Sequence, residues 1–177
     1  MGKISVNDYY EMQNIQADTA MRKSLSNSEE KKAEKMETKK EKGTMTACIG
    51  MEDKVIESLL MENQINIEVA NYNTQVQTVI SGSIEEMDKA VSCLKENGIK
   101  RAIPLNVSGA FHSSLLNEAS NELRAKLDEY TPNKLNYKVI YNISGKEENS
   151  NLNDILQKQI CSSVHFDSSI EYSINQG

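Results

Sequence analysis

Residues 65–98 read INIEVANYNTQVQTVISGSIEEMDKAVSCLKENG, and their periodicity changes midway. Ile65, Ile67 and Val69 alternate with polar neighbours, the period of two that a half-buried strand requires. After a brief turn, QTVISG (77–82) is a second short strand. From Ser83 the period becomes 3.6, with Ile84, Met87, Val91 and Leu94 on one helical face. Ser83 and Glu86 stand at capping-box spacing, and Gly98 lies just past the other end. Working outward, TMTACIG (44–50) reads as a short buried strand. EDKVIESLLMEN (52–63) puts Val55, Ile56, Leu59 and Leu60 on one helical face. KRAIPLNV (100–107) is a further strand, and Pro104 places it at a sheet edge or makes it end there.

The expected order over residues 44–106 is therefore strand-helix-strand-strand-helix-strand, the split βαβ arrangement of a ferredoxin-like α+β domain. Three more elements follow. SLLNEASNELRAKL (114–127) brings Leu115, Ala119, Leu123 and Leu127 round every four residues. Tyr137 to Ile143 reads as a strand, and NDILQKQICSSV (153–164) as a helix capped by Asn153. These need another layer to pack on, which the chain hardly provides. Leu115, Leu116, Leu123 and Ile140 are expected to stay partly exposed, and the chain to associate or be ordered mainly in its middle.

Composition narrows the functional classes. Residues 1–43 carry 9 Lys and Arg against 8 Asp and Glu, leaving 11 against 18 in the remaining 134. A net charge of −7 on that remainder argues against a nucleic-acid role. SEEKKAEKMETKKEK (28–42) holds almost no core-forming residue, so residues 1–43 are expected to be disordered or marginally helical. No apolar run reaches the length of a membrane span, and MGKISVNDYYEMQ has no apolar core of a secretory signal. Cys48, Cys93 and Cys161 are odd in number and form no CxxC, which fits reduced cytoplasmic thiols and neither a disulfide framework nor a metal site. No cofactor is implied.

The two histidines are His112 and His165. His112 lies in VSGAFHSS (107–114), between an apolar strand and an amphipathic helix, where a general base is well placed. A base needs a nucleophile, yet no Gly-x-Ser-x-Gly turn occurs in these 177 residues. Ser113 and Ser114 adjoin His112, but neighbours at a helix start need not face one another.

Five segments, in this order, resemble the malonyl-CoA:acyl carrier protein transacylase family: GTMTACIGMED (43–53), IEVANYNTQVQTVISG (67–82), KRAIPLNVSGAFHSSLL (100–116), YKVIYNISG (137–145) and LQKQICSSVHFDSSIEYSINQG (156–177). The resemblance covers residues 43–177. It implies a ferredoxin-like small subdomain followed, over 107–177, by an incomplete part of an α/β-hydrolase-like large subdomain. By the same resemblance His112 is the general base of malonyl transfer through a serine ester, and Asn71 and Asn73 match the family's Asn-x-Asn pair beside the acyl cleft. Two family turn residues after that pair are replaced by Gln75 and Val76. His165 and Phe166 stand where the family more often has arginine and tryptophan, and both read as structural.

Absent from these residues are the family's serine elbow, its oxyanion-site segment, the arginine that meets the malonyl carboxylate, and the closing segment of its fold. The expectation is an acyltransferase fragment, catalytically incompetent by itself. Its partners by resemblance are malonyl-CoA and acyl carrier protein, with a separate polypeptide supplying the serine half. The alternative is a non-catalytic binding module that uses the ferredoxin-like fold or the charged N-terminal segment.

Overall fold

The computed structural model describes residues 43–132, 135 and 137–176. The expectation of a disordered or marginally helical segment over residues 1–43 lies outside that range except at Gly43, which instead opens the first strand. The strand-patterned segments form β1 (Gly43–Ile49), β2 (Ile67–Thr74), β3 (Gln77–Ser83), β4 (Arg101–Pro104) and a two-residue β5 (Val164–His165). They make one sheet of order β4-β1-β3-β2-β5. The first four strands pair antiparallel, and β5 joins β2 in parallel through Asn71–Val164 and Tyr72–His165. The ferredoxin-like order is thus present and extended by one short strand. Pro104, which cannot donate to a ladder, ends edge strand β4 as its chemistry requires.

Two helices cover one sheet face: α1 (Asp53–Glu62) and α2 (Ile84–Glu96). Their buried residues Ile56, Leu60, Met87, Ala90 and Leu94 pack with Cys48, Ile67, Val69 and Ile80. Val55 and Ile84, assigned to inner stripes by periodicity, are 43% and 46% exposed, because each lies at the margin of its helical face. The Ser83 hydroxyl accepts from the Glu86 N–H at 3.3 Å, which caps α2. Glu86 does not close the reciprocal half of the box. Its carboxylate instead accepts from the Asn66 N–H at 2.8 Å and pairs with Lys89. Gly98 takes φ +87°, the left-handed turn that ends the helix.

After β4 come a short 3₁₀ turn (Ser114–Leu116), α3 (Asn117–Leu127), α4 (Leu152–Cys161) and α5 (Phe166–Gln176). The leucine stripe of α3 buries none of its leucines; Ser120 alone on that helix is buried. Its hydroxyl donates to the Gln157 carbonyl, and Arg124 bridges Asp128 just past α3 and Asp154 on α4, so polar contacts join α3 to α4. Asn151, not Asn153, caps α4: its side chain accepts from the Asn153 N–H at 2.8 Å. Asn153 is turned inward and donates to the Leu127 carbonyl at 2.9 Å.

The segment Tyr137–Ile143 differs from its strand-like sequence. Among the described residues it forms only an isolated bridge, Tyr141 with Lys146, and Tyr137, Val139 and Ile140 are exposed. Strand propensity needs a ladder to be realised, and among the described residues the two-residue β5 meets the segment only where the His165 N–H donates to the Asn142 carbonyl at 2.8 Å.

Candidate functional site

The chain leaves β4 still beside β1, with the Leu105 N–H donating to the Met45 carbonyl at 2.9 Å. It then crosses Gly43 so closely that a Cβ there would stand 2.5 Å from the Ala110 nitrogen. Two residues on, His112 adopts φ +57°, a left-handed conformation that histidine enters more readily than branched residues do, though still at a cost. The surroundings hold it there. Its N–H donates to the Ile160 carbonyl at 3.1 Å, and the buried Ser113 hydroxyl donates to the Ala110 carbonyl at 2.8 Å.

The imidazole meets the end of α4. Nδ1 lies 3.0 Å from the Gln159 carbonyl and 3.1 Å from that of Ser162. A helix leaves its last carbonyls without intrahelical donors, and those oxygens can only accept. Nδ1 therefore carries the proton, shared between the two, and Nε2 keeps the lone pair. Burial pulls the His112 pKa below its usual 6.5, outweighing the opposing pull of the two carbonyls. The ring is neutral at pH 7, with an accepting Nε2. That is the protonation state of a general base.

This has a sign in stability. The unfolded chain binds a proton at His112 near 6.5 and the folded chain only at lower pH. The contribution is complete above 6.5 and is lost as pH falls through the folded value. Urea midpoints of the parent and of His112→Gln, compared from pH 7.5 to 5, should converge as pH falls. A gap that stays constant would show that His112 does not titrate in this way.

Asn71 reaches this region through the backbone. It pairs with Val164, two residues beyond the Ser162 carbonyl that holds His112, while the Ser163 hydroxyl donates to the Val69 carbonyl at 2.6 Å. Asn73 follows an irregularity in β2, and its buried Nδ2 has no partner among the described residues. No hydrogen bond found among the described residues joins either asparagine to His112. Two open clefts of about 350 and 320 Å³ lie elsewhere. The first is lined by Glu57, Leu60, Tyr72 and Ser163 among others, the second by Ser144, Asp154 and Lys158 among others; neither is lined by His112, Asn71 or Asn73. Ser114 turns from His112 to Glu68. His165 stacks on Tyr72 with ring centroids 5.0 Å apart, a packing role consistent with its place in β5. Burial pushes the Cys48 thiol up to about 12, so it is no nucleophile. Among the described residues no cluster of His, Cys, Asp and Glu could hold a metal ion, and no helix is long and apolar enough to cross a membrane.

The carbonyls of Gln159 and Ser162, which set the tautomer, lie 47 and 50 residues from His112 and carry no side-chain signal. A helix ending near a conformationally special histidine would have been the only clue.

No family profile matches the chain. The chain is 36% identical over 140 residues to the malonyl CoA-acyl carrier protein transacylase of Bacillus subtilis, a match covering 76% of this chain and 44% of that protein. A solved malonyl CoA-acyl carrier protein transacylase from Clostridium perfringens superposes with a TM-score of 0.72 at 34% identity, covering 77% of this chain and 44% of the other. A malonyl-transacylase solved in complex with its type II polyketide acyl-carrier protein gives the same TM-score at 28% identity, with 77% and 45% covered. The chain thus spans less than half the length of the relatives it matches, and over about three quarters of its own length it is homologous to malonyl CoA-acyl carrier protein transacylases.

Proposed function

We propose that this chain, a homologue of malonyl CoA-acyl carrier protein transacylases, supplies the general-base half of a malonyl-transfer site whose serine comes from a second polypeptide. The observation that carries the reading is the His112 ring, fixed through Nδ1 by two backbone carbonyls and presenting a neutral Nε2.

A serine hydroxyl attacks a thioester only as its proton is removed. In the proposed first step Nε2 takes that proton while the serine oxygen bonds to the malonyl carbonyl carbon. The carbon–sulfur bond then breaks, and Nε2 returns the proton to the departing coenzyme A thiolate. The second step runs in reverse: Nε2 takes the proton of the acyl carrier protein thiol, sulfur displaces the serine oxygen, and the serine recovers its proton. Asn71 and Asn73 are assigned to the acyl side of the cleft. The Nδ2 of Asn73 is buried and has no partner among the described residues. Burying that group without an acceptor is costly, which supports a partner arriving from outside the described residues.

The distribution of apolar surface supports a second polypeptide. Before residue 103 the described residues bury fifteen apolar side chains and expose four large ones; from residue 103 on they bury four and expose nine. The later part has a surface patterned for burial and little core of its own. Tyr137, Val139 and Ile140 form part of that surface, in a segment with strand propensity that forms no ladder among the described residues. Its proposed occupant is the serine-bearing half that the relatives possess.

The test is intact mass after incubation with malonyl-CoA. Alone, the chain should gain no hydroxylamine-labile malonyl group. Co-expressed with the unmatched portion of the Bacillus subtilis relative, it should form a complex in which that portion becomes malonylated and passes the group to acyl carrier protein. An adduct on this chain alone would overturn the split-site reading, and a failure to form the complex would favour a free-standing binding module.

A further inference from the structure

We propose that Glu68 is a positioning residue for His112, acting as a distant cap on the 3₁₀ turn that starts just after it and leads into α3. This rests on His112 being the base, but the geometry stands on its own. One carboxylate oxygen of Glu68 accepts two hydrogen bonds from Ser114, from its N–H at 2.9 Å and from its hydroxyl at 2.5 Å. Glu68 belongs to β2, the strand that also carries Asn71 and Asn73, and lies 46 residues from Ser114 in sequence.

A helix start exposes N–H groups that a local side chain ordinarily satisfies. Here the local caps are missing. Ser113 precedes the 3₁₀ turn and makes no side-chain cap bond, its hydroxyl being committed to Ala110. Leu116 precedes α3 and has no capping oxygen. Glu68 fills the role for the 3₁₀ turn from across the fold, with charge-assisted bonds stronger than neutral ones.

The position of this cap is what gives it consequence. His112 sits at φ +57°, a conformation that persists only where its surroundings over-determine it. Its upstream side is fixed by Ala110 against Gly43, and its own N–H and Nδ1 by the end of α4. The downstream side is fixed by Glu68 through Ser114. Releasing that anchor frees the segment to relax toward an ordinary backbone conformation, carrying Nδ1 away from the two carbonyls and the ring toward solvent. Among the described residues burial lowers the His112 titration and the two carbonyls raise it, so its acid midpoint follows movement of the ring out of this setting.

The experiment is nitrogen NMR of the His112 ring in the full chain, titrated from pH 8 to 4.5, for the parent, Glu68→Ala, Glu68→Gln and Ser114→Ala. In the parent the Nδ1-protonated tautomer should dominate at pH 8, with a midpoint below 6.5. Glu68→Ala should mix the tautomers and move the midpoint up toward 6.5. Glu68→Gln, whose amide oxygen still accepts, should stay near the parent, and Ser114→Ala, which keeps the N–H, should fall between. A Glu68→Ala ring with unchanged tautomer and midpoint would overturn the proposal, whatever the malonyl-transfer assay shows. Because the readout is the ring itself, the expected change in Glu68→Ala together with no malonyl transfer by the parent assembly would count against the split-site function and leave the positioning of His112 standing.

Discussion

In an assembly of this chain with the serine-bearing half of a transacylase, His112→Gln is expected to slow malonyl transfer by about 10²–10⁴-fold, the usual worth of a positioned general base. Glutamine removes the basic imidazole nitrogen while leaving a neutral, hydrogen-bonding side chain of comparable length at the position. The loss should fall on transfer and spare assembly. The parent's kcat/KM should decline on the acid side, with a midpoint below 6.5, because burial disfavours the charged ring and the neutral form is the active one. Single-turnover malonylation of the serine, followed by mass from pH 5 to 8, measures both quantities. A variant within about three-fold of the parent would remove His112 from the chemistry, since a base worth less than the lower bound of that range is not one.

The ferredoxin-like half was legible because its signals are local. Alternation in β2, the 3.6-residue stripe of α2, the Ser83 cap and Pro104 at an edge each act within a few residues, and each is found in place. Beyond residue 103 the helices and the partly exposed leucines are as expected, and the misses are the strand at 137–143 and the cap of α4, whose outcome depends on neighbours. Among the described residues, Tyr137–Ile143 has the composition of a strand but gains only an isolated bridge and one hydrogen bond from β5, and α3 buries none of its leucines. Asn153 looked like the cap of α4, yet Asn151 lies two residues earlier with the same chemistry, and position alone decides between them. At the site, the sequence and its resemblance pointed to His112 as a base, but not how it is held. Its tautomer comes from backbone atoms 47 and 50 residues away, and its downstream anchor from a glutamate on β2 that no motif marks.

The same contrast predicts the largest effect on stability. Leu94→Ala should destabilise the chain by about 2–5 kcal/mol, the cost of removing a buried leucine and leaving a cavity. Leu94 is fully buried between α2 and the sheet, among Ile56, Ile80 and Met87. Small domains are stable by about 5–15 kcal/mol, so one such change can consume much of the margin and lower the urea midpoint sharply. Tyr137→Ala, at a side chain 85% exposed, should change stability by no more than about 0.5 kcal/mol in the monomer. In the two-part assembly the ranking should shift. Tyr137 would lie against the serine-bearing half, and its loss should weaken association while leaving the ferredoxin-like core intact. The monomer must be verified across a concentration series, since pairing of two copies through the apolar surface would itself bury Tyr137. A Tyr137→Ala monomer as unstable as Leu94→Ala would mean that the later residues have a core of their own, and the docking surface would have to be abandoned. A monomer indifferent to Tyr137, with an assembly that depends on it, would identify that apolar surface as the seam between two halves of one catalytic fold.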